Sequence, residues 1–173
     1  MNGNITRILA VAPVSRGFGL VLMDASGLPL DWRVKEIYDS PKQRNARCLY
    51  EVDKLIQGHR PEVLILENHG APGAKKRKRV KELLDGLTEL ATDSGVGTIT
   101  YGPRDLRATL GLPADANKDK LAAEVAKRMP MLRARLPKPR RSWESERYAM
   151  SIFVAGALTL TYLSHAQRKD VAR

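Results

Sequence analysis

Apolar runs and alternating stretches follow one another along the first part of the chain. Aliphatic residues fill 6–12 and 17–24, which predicts two buried strands, with Pro13 ending the first strand. Apolar and polar residues alternate over 30–37, as expected for a half-exposed third strand that follows a hairpin turn at 25–29. The pattern therefore predicts an antiparallel meander of three strands.

After the meander the apolar positions recur with the helical period, interrupted by short apolar runs. A helix is predicted from Pro41 to about Gln57, and short strands are predicted at 63–67 and 97–101 on either side of a helix that ends near Ser94. Further predicted elements are helices at 103–110, 117–129 and about 142–165, and a proline-broken basic connector at 130–141.

This order of elements predicts the fold class. Three antiparallel strands followed by strands linked through helices indicate an α/β protein with one five-stranded mixed sheet and helices on both faces. A length of 173 residues fits a single domain over 1–173. No internal repeat divides the chain.

The composition narrows the class of protein. Hydrophobic residues make up 43% and charged residues 28% of the chain, as in a globular protein. The first residues lack the apolar core of a signal peptide, and no apolar run is long enough to span a membrane. Cys48 is the only cysteine, which excludes an internal disulfide. We therefore expect a cytoplasmic protein without a membrane partner.

The net charge indicates the kind of partner. Thirty Lys and Arg residues against nineteen Asp and Glu residues give +11 at pH 7. An excess of this size predicts a polyanion, most commonly nucleic acid, because each phosphate contact releases condensed counterions. An anionic membrane surface is the competing partner, but no basic amphipathic helix is free of core packing.

Several basic segments are candidates for contact with nucleic acid. The densest run follows the strand at 63–67 and contains Lys75, Lys76, Arg77, Lys78, Arg79 and Lys81. The other candidates are Ser15 and Arg16 in a glycine-containing turn, Arg104 and Arg107, Lys118 and Lys120 at a helix start, and Arg140 and Arg141 in the connector. Aromatic residues make up only 5% of the chain, which favours contact with the backbone of duplex or branched DNA over stacking on unpaired bases.

Four segments, in order, resemble the RuvC family of Holliday-junction resolvases over nearly the whole chain. RILAVAPVSRGFG is similar to the first strand and turn of that family, and VLILENHG to the fourth strand with its terminal glutamate. YGPRDLRATLGLPADANKDKLAAEV is similar to the segment after the fifth strand, and SIFVAGALTL to the last helix. The resemblance implies an RNase H-like fold and, because RuvC enzymes act as dimers, a homodimer.

The resemblance also implies a two-metal centre in which four carboxylates hold two Mg²⁺ ions. Carried over by position, the fourth-strand carboxylate falls on Glu67, whereas the first-strand aspartate falls on Ala12. The aspartate pair of the last helix falls on Ser151 and Val154. With Glu67 as the sole retained carboxylate, we expect no metal site and no cofactor. His69 could join Glu67 in a weak metal site, although a solvated loop histidine is the commoner role.

The sequence therefore predicts a catalytically degenerate RuvC-like protein, a pseudonuclease that binds structured or branched nucleic acid without cleaving it. Such a protein would serve as a scaffold or as the silent subunit beside an active nuclease. One alternative is an active Mg²⁺-dependent resolvase or endonuclease with a rearranged metal site. A second alternative is a protein-interaction module whose charge serves solubility.

Overall fold

The computed structural model describes residues 6–138 and 148–172. In chain order its strands and α-helices are β1 Arg7–Val14, β2 Gly17–Asp24, β3 Pro29–Glu36, α1 Arg44–His59, β4 Val63–Glu67, α2 Lys78–Asp93, β5 Gly97–Tyr101, α3 Pro103–Thr109, α4 Lys118–Arg128 and α5 Ser151–Val171. Two short 3₁₀ helices, Pro130–Arg135 and Tyr148–Met150, lie between α4 and α5.

The strands form one five-stranded sheet in the order β3-β2-β1-β4-β5. The pairs β1–β2 and β2–β3 are antiparallel, whereas β4 runs parallel to β1 and β5 parallel to β4. Since β1, β4 and β5 run in the same direction, their carboxyl ends meet at one edge of the sheet. In many open α/β sheets ligands bind at this edge. This edge lies next to the turn between β1 and β2.

Helices cover both faces of the sheet, and each face has its own apolar core. Leu9, Val11 and Leu64 point to the side on which α1 and α2 pack. Ile8, Ala10 and Ile65 point to the other side, where α4 and α5 pack. Because side chains alternate along a strand, neighbouring residues of the same strand contribute to different cores. The predicted α/β architecture, with its mixed sheet and helices on both faces, is confirmed.

Helix α5 is wedged between the sheet and α4. Its residues 151–159 are all buried, as expected for a helix that is apolar on every side. Gly156 makes room for α4, because a Cβ atom there would lie 2.8 Å from Val125 Cγ1. Gly19 makes the corresponding room on the sheet side.

Most predicted elements agree with the structure, and several predictions need correction. Pro13 does not end the first strand, because β1 continues to Val14; Pro13 lies beyond the last β1–β4 pair, where the missing N–H is not needed. The first helix begins at Arg44 rather than at Pro41. The connector begins with a 3₁₀ helix that buries Leu132 instead of an irregular segment.

The last helix extends beyond the predicted end at His165 and runs to Val171. Its predicted start near residue 142 lies outside the described residues. Within the part of the chain that the structure covers, no helix is long and apolar enough to cross a bilayer.

Candidate nucleic-acid interface

Glu67 ends β4 on the same face of the sheet as Ala12. The parallel pairing of β1 with β4 places Ile8 beside Val63 and Ala10 beside Ile65. Two residues further along each strand are Ala12 and Glu67, which therefore face the α5 side of the sheet together. Ala12 is 1% exposed and forms part of the core on that side.

The start of α5 lies directly against this part of the sheet. Gly19 pairs with Ala12 across β1 and β2. A Cβ atom on Gly19 would be only 2.3 Å from the Ser151 carbonyl carbon and 2.5 Å from the Ile152 nitrogen. A glycine is therefore required in this strand, because its missing side chain lets the helix backbone touch the sheet.

The structure thus brings together the four positions that the RuvC resemblance singled out. Ala12 and Glu67 share one face at the ends of neighbouring strands, Ser151 contacts Gly19 beside Ala12, and Val154 follows one helical turn later. Ser151 is 1% and Val154 5% exposed, so neither position opens to solvent. Three of the four positions present a methyl, an isopropyl and a hydroxyl group instead of carboxylates.

Lys76 binds the one carboxylate that remains. Its Nζ lies 2.8 Å from Glu67 Oε1, and the side chains are 15% and 12% exposed, respectively. Among the described residues, neither Glu67 Oε2 nor the buried Ser151 Oγ has a hydrogen-bond partner. The ammonium group therefore supplies the positive charge at the end of β4.

These residues do not fit a pair of divalent metal ions. Hard cations such as Mg²⁺ bind several oxygen ligands, and a two-metal centre needs carboxylates that bridge and flank the ions. Here one oxygen of a single carboxylate already faces an ammonium group. Across residues 6–138 and 148–172, no group of three or more His, Cys, Asp or Glu side chains is close enough to hold a metal ion.

His69 contacts the carboxylate of Asp85 and not that of Glu67. Its Nε2 lies 2.8 Å from Asp85 Oδ1 on α2, and its side chain is 30% exposed. The contact fixes the loop after β4 to α2. His69 is therefore paired with Asp85 rather than free in solvent.

Two arginines clamp the turn between β1 and β2. Arg79 Nη2 donates hydrogen bonds to the carbonyl oxygens of Val14 at 2.9 Å and Ser15 at 2.7 Å, and Arg44 Nη1 donates to the Ser15 oxygen at 3.0 Å. Arg79 also donates to the side chain of Asn45 on α1. The clamp joins the turn, α1 and the start of α2 into one surface.

Cys48 is buried in the same region, within the electrostatic reach of Arg79 and Arg44. Burial raises the pKa of its thiol to about 11, although the two arginines act in the opposite direction. The thiol is therefore neutral and unreactive near neutral pH.

The charged run at 75–81 divides into inward and outward side chains. Lys76 and Arg79 point inward, to Glu67 and to the turn, so their charges have roles inside the fold that the sequence did not predict. The remaining cations of the run are exposed, as are Arg16 of the clamped turn and Arg104. We call these six exposed residues the basic edge: Arg16, Lys75, Arg77, Lys78, Lys81 and Arg104.

Arg104 belongs to this surface through the loop after β4. A Cβ atom on Gly102 would lie 2.6 Å from Ala71 Cβ, so the loop packs on the residue that precedes α3. Arg107, one turn later, donates to the carbonyl oxygens of Ala116 at 2.7 Å and Pro103 at 3.0 Å and thereby holds the α3–α4 loop.

The remaining predicted contacts lie at the start of α4 and in the connector. Asn117 caps α4 by accepting a hydrogen bond from the Lys120 backbone nitrogen at 2.9 Å. The Lys120 side chain is exposed and that of Lys118 is half-buried. Arg140 and Arg141 lie outside the described residues.

Sequence reasoning did not identify the partner of Lys76 or the close approach at Gly19. A carboxylate at a strand end followed by a lysine-rich loop is a signal for an ion pair such as Lys76–Glu67. By sequence alone, however, the other cations of the run are equally good partners for that carboxylate. The predicted strand at 17–24 includes Gly19, but the sequence alone did not show that a helix backbone approaches the strand at this glycine.

Comparison with solved structures assigns the fold. The chain is similar to Thermus thermophilus RuvC, with a TM-score of 0.68 and 20% identity over 95% of this chain and 97% of that one. Similarity to the fowlpox virus resolvase solved with Holliday-junction DNA has a TM-score of 0.55 at 11% identity, covering 93% and 99% of the two chains. The yeast mitochondrial Holliday-junction resolvase Ydc2 matches with a TM-score of 0.56 at 11% identity over 95% and 81%.

No family model matches the sequence, and no curated protein matches it significantly. The strand order and the structural similarities define an α/β protein with the RNase H-like fold. The chain has the RuvC-like form of this fold, as the sequence resemblance predicted.

Proposed function

We propose that this protein binds structured or branched nucleic acid through the basic edge and does not cleave it. The observation that carries the proposal is the coincidence of two features at one edge of the sheet. Exposed cations surround this edge, and the positions at which the resemblance implies metal-binding carboxylates are apolar or neutralised. The first feature favours phosphate binding, and the second disfavours metal-dependent hydrolysis.

Nucleic-acid binding is supported by the exposed positive charges and by the ordered turn and loop that carry them. Arg16, Lys75 and Arg77 project from a turn and a loop that hydrogen bonds and packing hold in place, so little ordering beyond the cations themselves is needed on binding. Contacts from such groups to phosphates are independent of base sequence. Similarity to resolvases that are solved with Holliday junctions favours branched DNA as the nucleic acid to test first.

The expected absence of cleavage is supported by the residues around Glu67. Two-metal hydrolysis needs ions that activate a water and stabilise the leaving oxygen. A methyl group at Ala12 and an isopropyl group at Val154 offer no ligand atoms, and Glu67 faces Lys76. We therefore expect binding without cutting.

The test uses the purified protein with labelled four-way junction, duplex and single-stranded DNA and RNA. Gel shifts in EDTA measure binding, and incubation with Mg²⁺ or Mn²⁺ measures cleavage. We expect a retarded complex and intact strands. Cleavage that disappears in a Glu67→Gln variant would overturn the proposal and favour an active endonuclease with a rearranged ligand set, and failure to bind any nucleic acid would favour a protein-interaction module.

A homodimer and an active nuclease partner complete the proposal. Dimer formation is supported by the resemblance to RuvC enzymes, which act as dimers. Light scattering of the purified protein is expected to give twice the mass of one chain. A monomer at micromolar concentration would restrict the proposal to a single binding surface.

A further inference from the structure

We infer that Lys76 is a resident cation that takes the place of a divalent metal at Glu67 and closes this site to metal ions. The inference deepens the proposed function, since it rests on the silent centre described above. It assigns a role to a lysine that the charge run alone would place among the phosphate contacts. It also implies that nucleic-acid binding at this edge does not require Mg²⁺.

The geometry distinguishes Lys76 from the other cations of the run. Its ammonium group lies 2.8 Å from Glu67 Oε1, and both side chains are more than four-fifths shielded from solvent. Lys78, two residues later, lies 3.7 Å from Glu82 with exposed fractions of 91% and 58%. The Lys78 pair is a surface contact of little energetic weight, whereas a shielded carboxylate without a counter-charge is strongly unfavourable.

The loop that carries Lys76 is fixed where it leaves β4. The Asn68 backbone nitrogen donates to the Tyr101 carbonyl oxygen at 2.8 Å, and the Gly70 nitrogen donates to Asn68 Oδ1 at 3.0 Å. Its other end continues into α2, where Arg79 is held by the turn. Since the loop is held at both ends, the ammonium group is a fixed part of the site, and a metal ion would have to displace it.

None of the three other described positions of this centre carries an anion that could share the ammonium charge. Ala12 and Val154 are apolar, and Ser151 contributes a neutral hydroxyl. One positive charge therefore balances one negative charge, and a dication in the same place would leave an excess positive charge. Lysine therefore matches the charge of this centre, whereas a single divalent ion would bind Glu67 only weakly, and only once the ammonium group is removed.

The inference is tested by thermal unfolding during Mn²⁺ titration at constant ionic strength. The melting temperature of the wild-type protein should not respond to Mn²⁺. Lys76→Ala should melt lower than wild type and, with Glu67 now free, should rise by about 3–6 °C at a Mn²⁺ concentration ten times its dissociation constant. Lys76→Arg, which keeps the charge, should not respond.

Two controls separate the site from general effects. Lys78→Ala removes a neighbouring exposed cation and should neither lower the melting temperature nor create a response to Mn²⁺. The double variant Lys76→Ala/Glu67→Gln should be insensitive to Mn²⁺, because it has no carboxylate to bind the ion. A Mn²⁺ response in Lys76→Ala that persists in the double variant would overturn the inference, as would the absence of any response in Lys76→Ala.

If Lys76→Ala does not fold, a comparison of the wild-type protein with Glu67→Gln still tests the inference. A rise with Mn²⁺ in the wild type that is missing from Glu67→Gln would show that the metal displaces Lys76, and the inference would be wrong. Equal, flat curves for these two proteins would support it. Failure here leaves nucleic-acid binding intact, because that binding is measured separately by gel shift in EDTA.

Discussion

Val154 shows, at the scale of single residues, what occupies a position at which the RuvC resemblance implies a metal-binding aspartate. Its side chain is 5% exposed and belongs to the same apolar core as Ala12 and Phe153. A carboxylate in this position would lose its hydration without gaining a metal ion. The residue is therefore part of the packing of α5.

Val154→Asp is accordingly expected to destabilise the fold by about 2–5 kcal/mol, the range for an uncompensated buried charge. Urea unfolding monitored by circular dichroism measures the change. Gln167→Asp, on an exposed part of the same helix, is the matched control and should change stability little. If the two variants were equally stable, the core around Val154 would have to be open to water.

Cys48 is expected to lower the free energy of unfolding as the pH becomes alkaline. Burial raises the pKa of its thiol from an ordinary value of 9.0 to about 11, so the folded protein keeps the neutral form while the unfolded chain ionises first. A raised pKa stabilises the fold below the unfolded value, and this contribution is lost as the pH rises toward the folded value. The loss falls between about pH 9 and pH 11.

Relative to Cys48→Ala, the wild-type protein should lose at most about 1.4 kcal/mol of unfolding free energy per pH unit between pH 9 and pH 11. Urea unfolding of both proteins at pH 7, 8 and 10 gives the comparison. The difference between them should stay nearly constant from pH 7 to pH 8, where the thiol is mostly neutral in both states. A constant difference through pH 10 would contradict a buried neutral thiol.

Gly19 belongs to the scale of elements, because it sets how closely α5 approaches the sheet. Any Cβ atom there would lie within 2.3–2.5 Å of the backbone of Ser151 and Ile152. Backbone atoms cannot rotate away, so α5 as a whole would have to move. Strand β2 and helix α5 are thus in direct backbone contact.

We expect Gly19→Ala to destabilise the protein by more than about 2 kcal/mol, through displacement of the helix. The same substitution at Gly58, inside α1 with open space around it, is the control. Gly58→Ala should be neutral or stabilising by about 0.5–1 kcal/mol, because alanine favours the helix. Both are measured by thermal and urea unfolding.

Elements were more predictable than contacts. Strands β2, β4 and β5 follow from apolar runs bounded by glycine and acidic residues, and their bounds coincide with the prediction. Pro13 was misinterpreted because the local rule against proline applies only where a partner strand needs its N–H. Lys76 and Arg79 were indistinguishable from their neighbours, because a charge run carries no information about which side chains meet a carboxylate or a carbonyl group across the fold.

Charge acts at the scale of the whole molecule. A net charge of +11 attracts nucleic acid at long range, and the basic edge concentrates exposed cations where β1, β4 and β5 end. Binding should therefore weaken steeply with salt. The slope of the logarithm of the binding constant against the logarithm of the salt concentration reflects the number of phosphates that the protein neutralises.

Replacing Lys75, Arg77 and Lys78 by glutamine should weaken binding to all sequences alike and flatten this slope by about 0.9 for each B-DNA phosphate that is no longer neutralised. Replacing the exposed cations Lys54, Arg60 and Lys127, outside the basic edge, should lower affinity less and leave the slope nearly unchanged. Fluorescence anisotropy at several salt concentrations measures both. Equal slopes for the two triple variants would remove the 75–78 segment from the interface.

The burial of Ala12 beneath α5, and of Ser151 and Val154 within it, constrains how the sequence can change over time. An aspartate at any one of these positions adds a buried charge before the other ligands are present to hold a metal ion, so each single step lowers stability. Lys76 adds a further barrier, since its charge must also be removed from Glu67. Selection for a folded protein therefore disfavours the stepwise acquisition of a metal centre, whereas the exposed residues of the basic edge can change at little cost in stability.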